Sequence, residues 1–362
     1  MPFSDYIGAE ETVSSLRRIL AADRLPQTLL FAGPRGIGKA TLARYLAAAA
    51  MCTQRGAEGD FCGSCASCAR VLAADLSLDE YRKMFAEREK APAAKRGQEP
   101  LVVSTHPDYL IFPPDGPMRM ISIEQARQLR KAAQFSPSEG RRRIFVIDQA
   151  DRANSEAANS LLKTLEEPAP YLTLILTAEN PRQLLSTIRS RSVPFYFGPH
   201  TSEDMLRFFE AHEEIPMVDR KRLASWAQGS PGRALAIDVE GYLVRRESML
   251  ALLRTALGKQ PFSDALGLTE SIARKQSEKL DALTETLRAL LSDLLRLSHG
   301  GSAELINADI RDELAELATV ATFDWIYRAA GSLDEVENLA RRNIQKQIAL
   351  EAWAVGLRRD AA

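Results

Sequence analysis

The 362-residue sequence predicts an α/β domain, a parallel sheet with helices on both faces and an inserted cysteine knuckle, followed by an all-helical remainder. Three observations predict it. A glycine-rich loop, Gly33 to Lys39, stands between an apolar strand and a helix. Short β-branched strands then alternate with helices as far as residue 196. All the cysteines, Cys52, Cys62, Cys65 and Cys68, lie in one short segment of the first domain.

Element by element, Glu10 to Ala22 reads as an amphipathic helix, with Val13, Leu16, Ile19 and Leu20 at helical spacing. Thr28 to Ala32 is a short apolar strand, and Ala40 to Met51 an alanine-rich helix. Leu76 to Glu99 is dense in charges of both signs and reads as a solvated, partly helical insertion. Tyr109 to Phe112 is a strand, and Ser122 to Gln134 a helix opened by an N-cap-type residue. Arg143 to Ile147 is a buried strand, Asn154 to Glu166 a helix stopped by Pro168, and Leu172 to Thr177 another strand. From about Phe197 onward strands disappear. Two short helices surround the GSPGRAL turn at Gly229 to Leu235, and long amphipathic helices follow. Leu280, Leu283, Leu287, Leu291, Leu294 and Leu295 keep helical spacing, and Ser332-x-x-Glu335 reads as a capping box opening the last helix. The expected domains are residues 1–196, with the knuckle at 52–68 and the insertion at 76–99, then a small helical domain 197–241 and a helical domain 242–362.

Composition limits the function. With 45% hydrophobic and 26% charged residues the chain is of soluble globular type, and a net charge of −1 argues against holding DNA mainly by its own basic field. No apolar run approaches the roughly 18 residues that span a bilayer. The opening MPFSDY lacks the basic and apolar regions of a secretory leader, so a cytoplasmic protein without a membrane partner is expected.

Cys62-x-x-Cys65-x-x-Cys68, with Cys52 upstream, is a spacing that lets one tight turn supply several thiolates to a tetrahedral zinc ion. Disulfides would need an oxidising compartment. With no base nearby and no open position, a zinc ion here holds shape and does no chemistry.

Gly33-Pro-Arg-Gly36-Ile-Gly38-Lys39 matches the P-loop, in which backbone N–H groups cradle phosphates and the lysine contacts the β and γ oxygens. The next residue should carry the hydroxyl that ligates magnesium, but it is Ala40, and Thr41 lies about 100° further round the helix. Asp148, ending the apolar strand Ile144 to Ile147, fits the carboxylate that holds magnesium. Motor ATPases follow it with a glutamate; here Gln149 stands, whose neutral amide accepts no proton. Binding of ATP with Mg²⁺ is therefore expected to be weak or absent, and intrinsic ATPase activity is not expected. Arg191, in TIRSR, has the planar, permanently charged fork suited to a transferring phosphoryl group.

The sequence of motifs runs GPRGIGK, the knuckle, HPD at His106 to Asp108, hydrophobic-DxAD ending at Asp151, AANSLLKTLEEP at Ala157 to Pro168, TIRSR at Thr187 to Arg191, GSPGRAL, and NIQKQIALEAW at Asn343 to Trp353. It resembles the delta-prime family of bacterial DNA polymerase III clamp-loader subunits, within the AAA+ superfamily. The resemblance covers nearly the whole chain except the insertion. HPD and GSPGRAL favour delta-prime over the ATP-hydrolysing gamma/tau subunits.

The resemblance implies an α/β AAA+ domain, a small helical lid and a helical collar that closes a five-subunit ring. It also implies a rigid, non-hydrolysing stator that presents Arg191 to ATP on a neighbouring gamma/tau subunit. Its partners would be gamma/tau, delta and, through the complex, the sliding clamp and primer-template DNA. By membership it would count with a DNA-directed DNA polymerase. Two departures stand out: Ser192 replaces the cysteine after the finger, and Gly232 replaces the sensor arginine of hydrolysing relatives, with Arg233 one residue late. The alternative is an active gamma/tau-like ATPase, which phosphate release by the chain alone would reveal.

Overall fold

The computed structural model describes residues 3–213, 215–263, 266–267, 270, 280–300, 304–340 and 346–359. Met1 and Pro2 of the opening segment, and Asn343 to Gln345 of the closing motif, lie outside the described residues. The chain divides into two compact units, Met1–Phe208 with Gly229–Arg233, and Phe209–Gln228 with Ala234–Ala362.

Among the described residues the first unit is built on six strands: β1 (Thr28–Ala32), β2 (Val103–His106), β3 (Tyr109–Phe112), β4 (Arg143–Ile147), β5 (Leu172–Ala178) and β6 (Val193–Tyr196). They form one sheet in the order β2-β3-β4-β5-β1-β6. All neighbours pair in parallel except β2 with β3. The expected parallel sheet is thus mixed, with an antiparallel edge. The reason is local: only Pro107 and Asp108 separate β2 from β3, and so short a connection permits only a hairpin. β2 lacks the continuous apolar run that marks a central strand, and β6, Val-Pro-Phe-Tyr, carries Pro194, which has no N–H for a ladder on both sides. Three of the four residues of β6 are exposed.

Successive residues of the central strands enter different cores, as the two-residue period of a strand requires. Leu29 and Phe31 of β1, with Ile144 and Val146 of β4, pack with residues of α1 (Glu10–Ala21), α2 (Lys39–Met51) and α3 (Ala66–Ala73). Leu30 and Ala32, with Phe145 and Ile147, pack with α6 (Ile123–Ala133) and α7 (Ser155–Glu166). Both faces are therefore covered, which is why these strands read as unbroken apolar runs. The insertion forms α4 (Asp79–Lys90) and α5 (Ala93–Gln98), neither of which buries a residue. Ser122 caps α6 in a full capping box with Gln125.

The HPD residues fasten the knuckle to the sheet. The Nδ1 of buried His106 accepts from the Asp108 amide at 3.1 Å, and Nε2 lies 3.2 Å from Ser67 Oγ of α3. Burial, with the Arg70 charge nearby, lowers the histidine's proton affinity, so the neutral ring donates from Nε2. Asp108, fully buried, accepts from the amides of Ser138, Glu139 and Gly140, pinning the loop before β4.

Among the described residues the second unit is helical. Leu283, Leu287, Leu291 and Leu294, on the helix Leu280–Ser298, pack with Trp325, Leu333 and Trp353, and Leu295 packs partly buried against them. Asp293 is fully buried in the same helix and accepts from the amides of Ile306 and Asn307, each at 2.8 Å. The expected capping box at Ser332 is not one. Ser332 and Glu335 lie inside the helix Phe323–Ala340, and the Ser332 hydroxyl donates to the Ala329 carbonyl at 3.0 Å. Trp325, Ile326, Ala329, Leu333 and Val336 keep one apolar face through that point, and this tertiary burial overrides the local cap signal. No described helix is long and apolar enough to cross a membrane.

Candidate nucleotide site and metal centre

The P-loop connects β1 to α2, with Gly33 following the strand and Gly38 at the helix N-cap. Gly36 and Gly38 have φ of 74° and 99°, a region that costs other residues strain, so the glycines are required by the backbone. The loop carbonyls are already bonded within the protein. Lys39 Nζ, which the motif would aim at phosphate oxygens, donates to Gly33 O at 2.6 Å and Pro34 O at 2.7 Å. Ser230 Oγ donates to Arg35 O at 2.7 Å, and the Gly232 amide to Gly36 O at 2.8 Å. Ile37 O has His200 Nε2 at 3.1 Å and receives the Tyr6 hydroxyl at 3.3 Å. Burial lowers the proton affinity of Lys39, while Asp148, Glu179 and Asp151 oppose that shift.

The contact with Gly36 leaves room only for glycine at residue 232. A Cβ there would meet both the Cα and the carbonyl oxygen of Gly36 at 2.9 Å. Any side chain at residue 232 would push the two backbones apart.

Asp148 follows β4 directly, and β5 lies between β4 and β1 in the sheet. Both its oxygens have protein donors: Oδ1 accepts from Thr177 Oγ1 at 2.7 Å and Oδ2 from Gln149 Nε2 at 3.3 Å. Gln149 itself sits in the left-handed region with φ of 52°, its amide bonded to Thr177 Oγ1 at 2.8 Å. Ala40 opens the exposed side of α2 and supplies no oxygen. Asp151, one turn on, receives the amides of Glu179 and Asn180 at 2.9 and 2.8 Å.

Arg191 is the C-cap of the short helix α8 (Ser186–Ser190), in the same unit. Its Nη1 donates to Thr187 O at 3.2 Å, and its Nη2 lies 3.2 Å from Glu166 Oε1. Both charged side chains are partly exposed. Ser192 is buried and donates to Ile188 O at 2.8 Å, so the residue after the arginine anchors the loop through a hydroxyl.

The structure brings the four cysteines together, with all sulfurs within 4.8 Å of one another. Cys52 Sγ and Cys62 Sγ are 3.6 Å apart, close to the about 3.8 Å that a tetrahedron of about 2.3 Å zinc–sulfur bonds requires. Backbone amides point at the sulfurs: Gln54 and Cys62 at Cys52, Cys65 at Cys62, and Cys68 at Cys65, at 3.3–3.4 Å. Such donors favour thiolates. For Cys65, partial burial works against the charge, but the Cys68 amide and the donors of Thr53 prevail and draw the thiol down to about 5. Burial pushes the Cys52 and Cys68 thiols up. Donor set, spacing and amide geometry fit a metal such as zinc.

The P-loop glycines, Lys39, Asp148, Arg191 and the four cysteines are legible in the sequence, but several of the residues that hold them are not. Tyr6, His200 and Ser230 join the P-loop from distant positions and carry no local signal. Thr177 ends a strand by pattern, and Glu166 is part of a motif whose letters gave it no role.

A P-loop after β1 in a sheet of this order, with an acidic residue after the strand two places away, is the arrangement of an AAA+-like α/β fold. The sequence model of the family described as DNA polymerase III, delta subunit, matches residues 8–201, and one described as its C terminal part matches residues 242–359. The chain belongs to the DNA polymerase III delta subunit family. Among its relatives, DNA polymerase III subunit delta' of Escherichia coli K12 is 29% identical over 225 residues, 62% of this chain and 65% of that protein. Subunit tau of the same organism is 26% identical over 317 residues, 82% of this chain and 43% of that protein. The chain thus spans less than half the length of that tau relative. A solved gamma subunit-related protein of Thermotoga maritima covers 96% of the chain at 17% identity with a TM-score of 0.39, a likeness too loose to argue from.

Proposed function

We propose that the chain is the delta-prime subunit of a DNA polymerase III clamp loader: it leaves its own P-loop idle and lends Arg191 to ATP bound on a neighbouring gamma/tau subunit. The observation that carries the reading is the contrast in how the two groups are held. Lys39 and the carboxylate of Asp148 are satisfied inside the protein, while Arg191 stands on a partly exposed pair. A group already bonded internally must break those bonds before it can serve a ligand, and Ala40 offers magnesium no ligand even then. Lent in trans, an arginine stabilises charge on the transferring phosphoryl group without any chemistry of its own.

The remaining assignments follow from the same reading. Cys52, Cys62, Cys65 and Cys68 hold a structural zinc ion that orders the 52–68 segment. Residues 1–196 are the AAA+ domain, 197–241 the lid and 242–362 the collar through which the subunit joins gamma/tau and delta. The sliding clamp and primer-template DNA are met through the assembled loader, in the cytoplasm.

The tau relative, which aligns over 82% of the chain, favours the second reading, an active gamma/tau-like ATPase. One comparison separates the two. The loader is assembled with gamma/tau and delta homologues from the same cell and carries either Arg191→Ala or Lys39→Ala in this chain. The stator reading expects the first to impair clamp loading and the second to leave it nearly intact. The reverse order makes this chain a motor subunit.

A further inference from the structure

We infer that Glu166 is a latch on Arg191: its carboxylate holds the guanidinium on this chain, and the arginine reaches a neighbour's phosphate only by giving up that hold. The inference rests on the reading of Arg191 as a finger lent in trans. α7 ends at Glu166, and Glu167 is its C-cap. Carboxylates at a helix C-terminus face the unbonded carbonyls and the negative end of the helix dipole, an unfavourable place for them. A cation relieves that, and among the described residues the one paired with Glu166 is Arg191, 3.2 Å away.

Both terminal nitrogens of the arginine are engaged by this chain, Nη2 by Glu166 and Nη1 by the Thr187 carbonyl at 3.2 Å. A two-point grip on a phosphate uses the same fork, so the latched and the extended states exclude each other. Ser192 Oγ ties the residue after the arginine to Ile188 O at 2.8 Å, a bond that does not involve the Arg191 side chain. The exchange is not costly. The side chains of Arg191 and Glu166 are 38% and 47% exposed, and a pair so open to water is weak enough to be traded for a phosphate.

The test uses the assembled loader, with ATP turnover measured with and without the sliding clamp and primer-template DNA. Glu166→Gln and Glu166→Ala should each raise the turnover seen without DNA about two- to fivefold, the ratio that an exposed ion pair corresponds to. The DNA-stimulated rate, the KM for ATP and the Tm of the chain should stay where they are, so the stimulation by DNA shrinks. A lower Tm with both rates reduced would mean that Glu166 only supports the fold, and would overturn the inference. So would an unchanged basal rate in both variants; if Arg191→Ala still slows turnover in the same assay, the finger reading stands without the latch. Full turnover with Arg191→Ala removes the finger and the latch together.

Discussion

The P-loop and the Arg191 loop both carry the residue types of phosphoryl transfer, yet the protein treats them in opposite ways. Around the P-loop, five successive residues from Gly33 to Ile37 have carbonyls bonded to Lys39, Ser230, Gly232, His200 and Tyr6. Around Arg191 one carboxylate and one carbonyl hold a fork that stays partly in solvent. The difference teaches that a motif's letters report which groups are present, while their bonding state reports which groups are free to act. A lysine with both its acceptors inside the loop is part of the fold. An arginine on a weak surface pair is available.

The most severe way to break this comparison is Arg191→Ala. At the one ATP site facing this subunit it should cost about 10³–10⁵ in rate, the usual worth of an arginine finger. On the stator reading the loader's other ATP sites are served by other arginines, so turnover of the whole loader falls by less, with clamp loading hit harder than ATP binding. The residue is partly exposed and leaves no cavity, so the Tm should hold. Steady-state phosphate release by the loader, in which an unchanged rate contradicts the assignment, is the measurement.

The knuckle offers an independent check on how groups are held. Cys65→Ser should release zinc, read by elemental analysis, while the sheet remains folded by circular dichroism. Acidification should do the same progressively. Burial raises the Cys52 and Cys68 thiols, so in the metal-free chain both carry protons at neutral pH, whereas Cys65, at about 5, is already a thiolate. Metal binding displaces at least the protons of Cys52 and Cys68. Affinity must therefore rise with pH, about tenfold per pH unit for each proton displaced. Competition with a chromophoric chelator from about pH 6 to 8 measures it, and a flat profile contradicts the cluster as a thiolate metal site.

The closed P-loop can be prised open more gently. In Gly232→Ala the new Cβ meets the Gly36 backbone at 2.9 Å, so the mutant should lose about 1–3 kcal/mol in urea unfolding, as overpacked sites do. A neutral result would mean that residues 36 and 232 part easily and that the loop is not held shut. The smallest effect on the loader is expected from Lys39→Ala, which removes donors from two carbonyls but no working group. Loader turnover should stay within about twofold of wild type, and the loss should appear as stability, about 1.5–3 kcal/mol for hydrogen bonds from a charged donor. A larger drop in turnover would show that this P-loop works after all.

The main course of the fold was legible because it is written in local patterns. β1, β4 and β5 are apolar runs fixed by burial on both faces, and α6 announces itself by a capping box. β2 was not legible because it mixes polar and apolar residues, and β6 because it is four residues long, largely exposed and interrupted by Pro194. The capping pattern at Ser332 misled for the converse reason: a local signal was present, and burial of Leu333 and Val336 on a continuing helix outweighed it.

For the candidate site the division is similar. By itself the sequence determined the inventory: a P-loop without its hydroxyl, an aspartate without its glutamate, four cysteines, and Arg191. Such identities decide what chemistry is possible, because no packing can give Ala40 an oxygen or Gln149 a charge. The tertiary structure alone decided which groups are spent. It took residues as distant as Tyr6, His200 and Ser230 to close the loop, and Glu166 to hold the arginine. Hydrogen bonds between residues far apart in the chain depend on where the folded backbone brings donors and acceptors together, and no local pattern encodes that meeting.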